Sequence, residues 1–234
     1  MAVPSAAGAL DKPDYGTAQL QRDVDALRAT GATGVLAEVN TPSGRLRARG
    51  GVADLTSRGP VAWDARHRIG STTKTFVSTV VLQLVGEGRI GLDDTVERWL
   101  PGVVAGNGND GAKITVRQVL GQTSGIPEYA DEVPLERATT PEEFKRERFR
   151  TYRPEQVIAM AMRHGPVFEP GERWGYSNTN YVLAGMIIEK ATGAPWQQAV
   201  HERIIERLAL GHTVIPGTSA HLPSPRLAAY KRRG

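Results

Sequence analysis

Gly70-Ser71-Thr72-Thr73-Lys74 opens the stretch that decides the fold, and it runs directly into Thr75-Phe76-Val77-Ser78-Thr79-Val80-Val81-Leu82-Gln83-Leu84-Val85-Gly86. Phe76, Val77, Val80, Val81, Leu84 and Val85 make this segment apolar nearly all round. That pattern predicts a helix buried at the centre of a domain, ended by Gly86 and Gly88. Ser71 stands where the chain enters the helix, and Lys74 comes three residues on, so both face one side. A serine hydroxyl is a weak nucleophile until a neighbouring base takes its proton. A lysine can assist through a lowered pKa, or hold a nearby anion as a cation. The helix N-terminus adds backbone N–H groups and the positive end of a dipole, which favour an oxyanion at an attacked acyl group. Alone, the same residues read more readily as an N-cap serine and a solvated lysine, since N-cap serines are common.

Toward the N-terminus, Leu20, Val24 and Leu27 fall at i, i+4, i+7 and predict a helix over 17–30, stopped by Gly31. Gly34-Val35-Leu36-Ala37-Glu38-Val39 and Arg45-Leu46-Arg47-Ala48-Arg49 flank Thr41-Pro42-Ser43-Gly44, which predicts a β-hairpin. Toward the C-terminus, helices are expected over 115–120, 154–163, 179–191 and 195–208, with Gly193 and Gly211 just past the last two. The polar stretch from Ile126 to Arg150 reads as a surface excursion. Gly106-Asn107-Gly108-Asn109-Asp110-Gly111 fits G-x-G-x-x-G, but it succeeds no strand and opens no helix, so it is expected to be a flexible loop. A helix and hairpin leading into a mainly helical region is an incomplete set, because two strands leave both sheet edges open.

Composition excludes several classes. The chain of 234 residues is 40% hydrophobic and 23% charged, the balance of an ordinary globular protein of one domain or two small ones. No apolar run approaches the roughly 20 residues that span a bilayer, so no transmembrane segment is expected. The absence of cysteine removes disulfides, zinc–thiolate sites and a Cys nucleophile. The net charge is +4 and the pI about 9.5, yet basic residues are dispersed apart from 145–150 and 231–233. No nucleic-acid reading module accompanies them, so a solvated charged face is expected and nucleic acid is not a partner. The five histidines form no metal-binding pattern, and no G-x-S-x-G elbow occurs. The first ten residues lack a basic start and an apolar stretch, so no intact signal peptide is read there. Ala7-Gly8-Ala9 suits the tail of a processed one or a disordered start equally.

Gly171-Glu172-Arg173-Trp174-Gly175 leads through a turn-rich approach to Tyr176-Ser177-Asn178. A tyrosine beside a lysine cation can have its pKa lowered and act as a general base, and an asparagine both donates and accepts. Alone this is a half-buried Tyr with a turn-forming Asn. Together, S-x-x-K and then Y-x-N arise by chance at a level of only about 0.03 in a chain of this composition. The pair is informative. Trp174 is placed either against the cleft beside Tyr176 or in the core.

These residues resemble the serine β-lactamase and penicillin-binding family, especially its class C-like branch of soluble D-alanyl-D-alanine carboxypeptidases. Arg68-Ile69-Gly70-Ser71-Thr72-Thr73-Lys74 is similar to the family's nucleophile segment. Leu82-Gln83-Leu84-Val85-Gly86-Glu87-Gly88-Arg89-Ile90-Gly91-Leu92-Asp93-Asp94 with Leu100-Pro101-Gly102 resembles the family's next segment. Ile114-Thr115-Val116-Arg117-Gln118-Val119-Leu120, Thr123-Ser124-Gly125-Ile126 and Gly175-Tyr176-Ser177-Asn178-Thr179-Asn180-Tyr181 resemble its later blocks, in order.

The resemblance implies an α/β (α+β) fold of the β-lactamase/transpeptidase type: an N-terminal helix and β-hairpin of an antiparallel sheet, a mainly helical domain, and C-terminal strands expected to be missing here. It divides the chain into a disordered tail (1–15), the helix and strands of an α/β subdomain (16–70) and a helical subdomain (71–234). Ser71 would attack a peptide, ester or β-lactam carbonyl and become acylated, its backbone N–H supplying one oxyanion donor. Lys74 would position the hydroxyl and hold Tyr176 reactive, Tyr176 would shuttle the proton, and Asn178 would bind the substrate amide. No metal or organic cofactor is implied.

Gln122 stands where the family commonly has His, a position taken as structural. The family's third motif, His-Thr-Gly or Lys-Thr-Gly on a late strand, is not matched by Gly211-His212-Thr213, since Val214 comes next. Weak or absent activity of the chain alone, and association through open edges, are therefore expected. D-Ala-D-Ala carboxypeptidase activity leads. A β-lactamase or esterase is the alternative within the same chemistry, and a non-catalytic acyl-accepting or interaction fragment the alternative outside it. Peptidoglycan chemistry would place a working relative outside the cytoplasmic membrane, other substrates in the cytoplasm.

Overall fold

Residues 15–230 are described by a computed structural model. The tail expected over 1–15, apart from Tyr15, and the basic cluster 231–233 lie outside them. Two compact units are present, one drawn from residues up to Arg68 together with those from His221 onward, the other Ile69–Ala220.

In the first unit, helix α1 (Thr17–Ala29) lies on an antiparallel hairpin of β1 (Gly34–Thr41) and β2 (Gly44–Gly51). Pairing runs from Gly34 opposite Gly51 to Thr41 opposite Gly44. Strand alternation puts Val35, Ala37, Val39, Leu46 and Ala48 against Leu20 and Val24 of α1. Glu38 and Arg47 pair directly across the other face, Nε to Oε2 at 2.8 Å. Leu27 is exposed, so the buried stripe of α1 is shorter than its periodicity suggested.

The segment from His221 onward, grouped with the helical part by its position in the sequence, joins the hairpin unit instead. Arg66 donates its N–H to Pro225 O (2.8 Å), Leu227 donates to Arg66 O (2.9 Å) and Ala228 to Ala53 O (2.9 Å). The Tyr230 hydroxyl donates to Asp54 Oδ2 at 2.8 Å and accepts from the Leu55 N–H at 2.8 Å. Bonding of this kind depends on partners some 160–175 residues away, which local pattern does not carry.

The second unit contains α2 (Thr73–Gly86), α3 (Val96–Trp99), the two-residue strands β3 (Ala105–Gly106) and β4 (Asn109–Asp110), α4 (Val116–Leu120), α5 (Pro134–Arg137), α6 (Pro141–Glu147), α7 (Pro154–Ala161), α8 (Asn178–Thr192) and α9 (Trp196–Val200). Helix α8, not α2, occupies the centre: α2, α3, α4, α7 and α9 all pack on it. Leu183, Ala184, Met186, Ile187 and Ile188 are buried within it. Helix α2 buries Val77, Val80, Val81 and Leu84, but its Leu82 is 51% exposed. The all-round apolar pattern of α2 thus overstated its burial. The buried polar residues Thr179 and Asn180 diluted the same signal in α8.

Caps set the helix ends. Thr115 and Gln118 form a reciprocal capping box at the start of α4. Gly193, at φ 74°, stops α8 and returns its N–H to Glu189 O. The helix expected over 195–208 is shorter, because after Val200 the chain winds into a π-helical turn over His201–Ile205.

Residues 106–111 are not a flexible loop. Asn107 (φ 51°) and Gly108 (φ 86°) form the tip of the β3–β4 hairpin, the two positive φ values of a type I′ turn. Asn107 Nδ2 donates to Met162 O at 2.7 Å, and Asn109 Nδ2 to His164 O at 2.7 Å. Nor does the surface excursion begin at Ile126. Ile126 is buried, Pro127 and Glu128 bond into the start of α8, and α5 and α6 come after them.

Candidate active site

Every residue of the site lies in the second unit. Ser71 sits in a 3-10 turn, Gly70–Thr72, that feeds into α2, with Gly70 at φ 54°. It does not cap the helix through its side chain. Lys74 lies in the first turn of α2. The other half of the site comes from the chain entering α8. Three backbone bonds hold that approach: Val167 N to Gly125 O (2.8 Å), Gly171 N to Thr123 O (2.8 Å) and Gly175 N to Gln122 O (2.9 Å).

Beneath them is a buried polar platform. Gln122 adopts φ 61°, and its Oε1 accepts from Ser177 N (2.9 Å) and Asn180 Nδ2 (2.7 Å). Ser124 donates to Asn180 Oδ1 at 2.6 Å, and Thr179 Oγ1 donates to Pro127 O at 2.6 Å. Gln122 touches none of the reacting groups and acts by fixing the chain on either side of Tyr176.

Ser71, Lys74, Tyr176 and Asn178 meet. Ser71 Oγ lies 2.7 Å from Tyr176 Oη, and Lys74 Nζ donates to Ser71 Oγ at 3.1 Å. Lys74 also donates to Asn178 Oδ1 at 2.7 Å, and Tyr176 Oη donates to the same oxygen at 3.0 Å. The ammonium is 4.9 Å from the centroid of the Tyr176 ring and 5.6 Å from that of Tyr181. Lys74 therefore touches all three other members, Ser71 from three residues back along the chain and Tyr176 and Asn178 from the entry to α8.

The Lys74 ammonium, by hydrogen bonding, holds the Tyr176 phenol below its ordinary value, and the bond to Ser71 acts in the same direction. Burial and the Glu128 charge oppose this more weakly. Burial pushes the Tyr129 and Tyr181 phenols up, so neither neighbour competes as a base. Tyr176 remains 46% exposed and open to a substrate. The arrangement can do one kind of chemistry well: a hydroxyl is aligned on a phenol predisposed to ionise, with a cation bridging them.

Trp174 is 66% exposed, so it is not a core residue. Gly211-His212-Thr213 lies in a turn closed by Thr213 N to Leu210 O (2.9 Å), not on a strand. Among the described residues no three of His, Cys, Asp and Glu converge as metal ligands. Among the same residues no helix is long and apolar enough to cross a membrane. Sequence reasoning missed Glu128, whose carboxylate grips Asn178 (N to Oε2 2.6 Å, Nδ2 to Oε2 2.9 Å). Its one signal was the adjacent Thr123-Ser124-Gly125-Ile126 block.

Comparison with known proteins gives the family of the chain. The chain matches the family described as Beta-lactamase over residues 20–233. A solved D-stereospecific amidohydrolase from Streptomyces sp. is 48% identical, with a TM-score of 0.81, covering 90% of this chain and 59% of that one. The D-amino acid amidase of Ochrobactrum anthropi SV3 is 31% identical with a TM-score of 0.73, covering 88% and 55%. Protein flp of Staphylococcus aureus (strain MW2) is 30% identical over 169 residues, which are 72% of this chain and 32% of that protein. The chain thus spans about a third of that curated relative and under two thirds of the two solved chains.

Proposed function

The chain belongs to the Beta-lactamase family, and from that premise we propose that it is a serine hydrolase working through an acyl-enzyme on Ser71, with D-configured amides or peptides as substrates. The observation that carries the reading is the hydrogen-bonded set of Ser71, Lys74, Tyr176 and Asn178. Tyr176 takes the proton of Ser71 as Oγ attacks the carbonyl, and passes it to the leaving amine. Water then displaces the acyl group with Tyr176 again as base. Lys74 keeps the phenol ionisable and the hydroxyl in line. Asn178 meets the substrate amide through whatever donor capacity its protein partners leave. No step calls for a metal or an organic cofactor.

The preference for a D-amino acid amide over a D-Ala-D-Ala peptide rests on the 48% identity to a D-stereospecific amidohydrolase. Carboxypeptidase action on D-Ala-D-Ala is the same reaction with an amino acid as leaving group, and would place the work on the envelope side of the cell. β-Lactam or ester hydrolysis would result from faster release of the acyl group by water.

Intact-mass analysis after incubation with a penicillin tests the acyl-enzyme. An adduct of the antibiotic's mass on the parent chain, absent in Ser71→Ala, is expected. No adduct on either, with the antibiotic unconsumed, overturns the reading. Release of ammonia from D-phenylalanine amide and not from the L-amide then separates an amidase from a peptidase. Because the phenol must be ionised to take a proton, the rate of adduct formation is expected to rise with pH through a midpoint below the ordinary tyrosine value of about 10. A profile flat from pH 6 to 10 would remove Tyr176 as the base.

A further inference from the structure

We propose that Glu128 is a positioning residue for the proton relay, clamping Asn178 so that its amide oxygen faces Lys74 and Tyr176. Glu128 lies between the buried Ile126 and the 3-10 turn Ala130–Glu132. Its Oε1 accepts from the Ala130 N–H at 2.9 Å, which ties the carboxylate to its own loop. Its Oε2 accepts from two groups of one residue, Asn178 N at 2.6 Å and Asn178 Nδ2 at 2.9 Å. A side-chain amide has two orientations of nearly equal size, and only its bonding partners choose between them. A carboxylate accepts only, so the face of Asn178 turned to Glu128 must be NH₂. The opposite face is then Oδ1, and it accepts from Lys74 Nζ (2.7 Å) and Tyr176 Oη (3.0 Å). Reversed, the amide would aim donors at an ammonium and turn its oxygen on a carboxylate, losing the bonds to Lys74 and Glu128 together, with only the Tyr176 hydroxyl still able to accept.

The carboxylate also acts at one remove on the phenol. The groups facing Tyr176 are Lys74 from α2, Tyr181 from α8, and Glu128 and Tyr129 from the loop before α5. Of these Lys74 is the cation and Glu128 the anion, and the Glu128 charge holds the phenol up against Lys74. Removing that charge lets the phenol ionise at lower pH, while loosening Asn178 slows the reaction. The two effects move in different observables, which a purely structural role would not produce.

The inference rests on the relay proposed above, and its test separates the two. The Tyr176 phenol is titrated by NMR of ¹³C-labelled tyrosine, assigned with Tyr176→Phe, in the parent chain, Glu128→Gln and Glu128→Ala. The rate of Ser71 acylation by penicillin is measured alongside, and a thermal melt by circular dichroism verifies the fold. Glu128→Gln keeps the size and one accepting oxygen, so it guards against mere unfolding. A lower phenol midpoint in both variants, with acylation slowed about tenfold in Glu128→Ala, is expected. Folded variants with unchanged midpoint and rate overturn the role. If penicillin acylates no form but the midpoint still falls, Glu128 keeps its place in the network and the acyl-enzyme reading fails instead.

Discussion

Lys74→Ala is expected to leave a folded chain whose Ser71 is acylated about a thousandfold more slowly than in the parent. The ammonium makes three contributions. It donates to Ser71 Oγ, it donates to Asn178 Oδ1, and it holds the Tyr176 phenol down. Removing it returns the phenol toward its ordinary value, so the rising limb of the pH–rate profile moves upward as the rate falls. The side chain is only half-buried, so truncation leaves no large cavity and the fold should survive. Adduct mass measured against time, from pH 6 to 10, reads both effects. A loss below tenfold with the limb unmoved would mean that Lys74 is a bystander.

Gly125→Ala has the largest expected effect on stability, about 4 kcal/mol or more in urea unfolding. Gly125 adopts φ +73°, where a Cβ alone costs about 1–2 kcal/mol. The added methyl would also lie far inside contact distance of the Phe168 carbonyl oxygen, which is backbone and cannot swing aside. Relief requires breaking the Val167 N to Gly125 O bond, the first of the three that hold the approach to α8. Phe168 is also confined at its ring. A Cβ on Gly175 would come within 2.5 Å of its ring, and the Arg173 guanidinium lies 4.9 Å from the ring centroid. A Gly125→Ala stability within about 1 kcal/mol of the parent would show that this loop yields and does not fix Tyr176.

How much of this was legible in the sequence depended on the range of the interaction. Ser71 and Lys74 are three residues apart across the 3-10 turn and the start of α2, and Tyr176 and Asn178 are two apart at the mouth of α8, so each pair was visible as a local motif. The joining of the pairs came from ordered blocks of family resemblance, since no local rule brings segments a hundred residues apart together. Glu128 was missed for the same reason: a carboxylate after Ile126-Pro127 is ordinary until α8 arrives beside it. The α1 helix and its hairpin were readable because their periodicities were clean. The centrality of α8 was not, because Thr179 and Asn180 spend buried positions on hydrogen bonds. The Asn107-Gly108 turn was legible in principle, as that dipeptide is a strong hairpin signal, but the overlapping glycine pattern favoured a loop.

The distances along the chain between partners in the site have a kinetic meaning. Ser71 and Tyr176 are separated by 105 residues, and Lys74 and Asn178 by 104. Helices of this length form in under a microsecond, but contacts so distant in sequence must await closure of the long loop between them. A chain diluted out of urea is therefore expected to regain a penicillin-reactive serine only once that loop has closed. The expected covalent label then serves as a clock for one long-range contact, because it registers only molecules in which α2 and the entry to α8 have met.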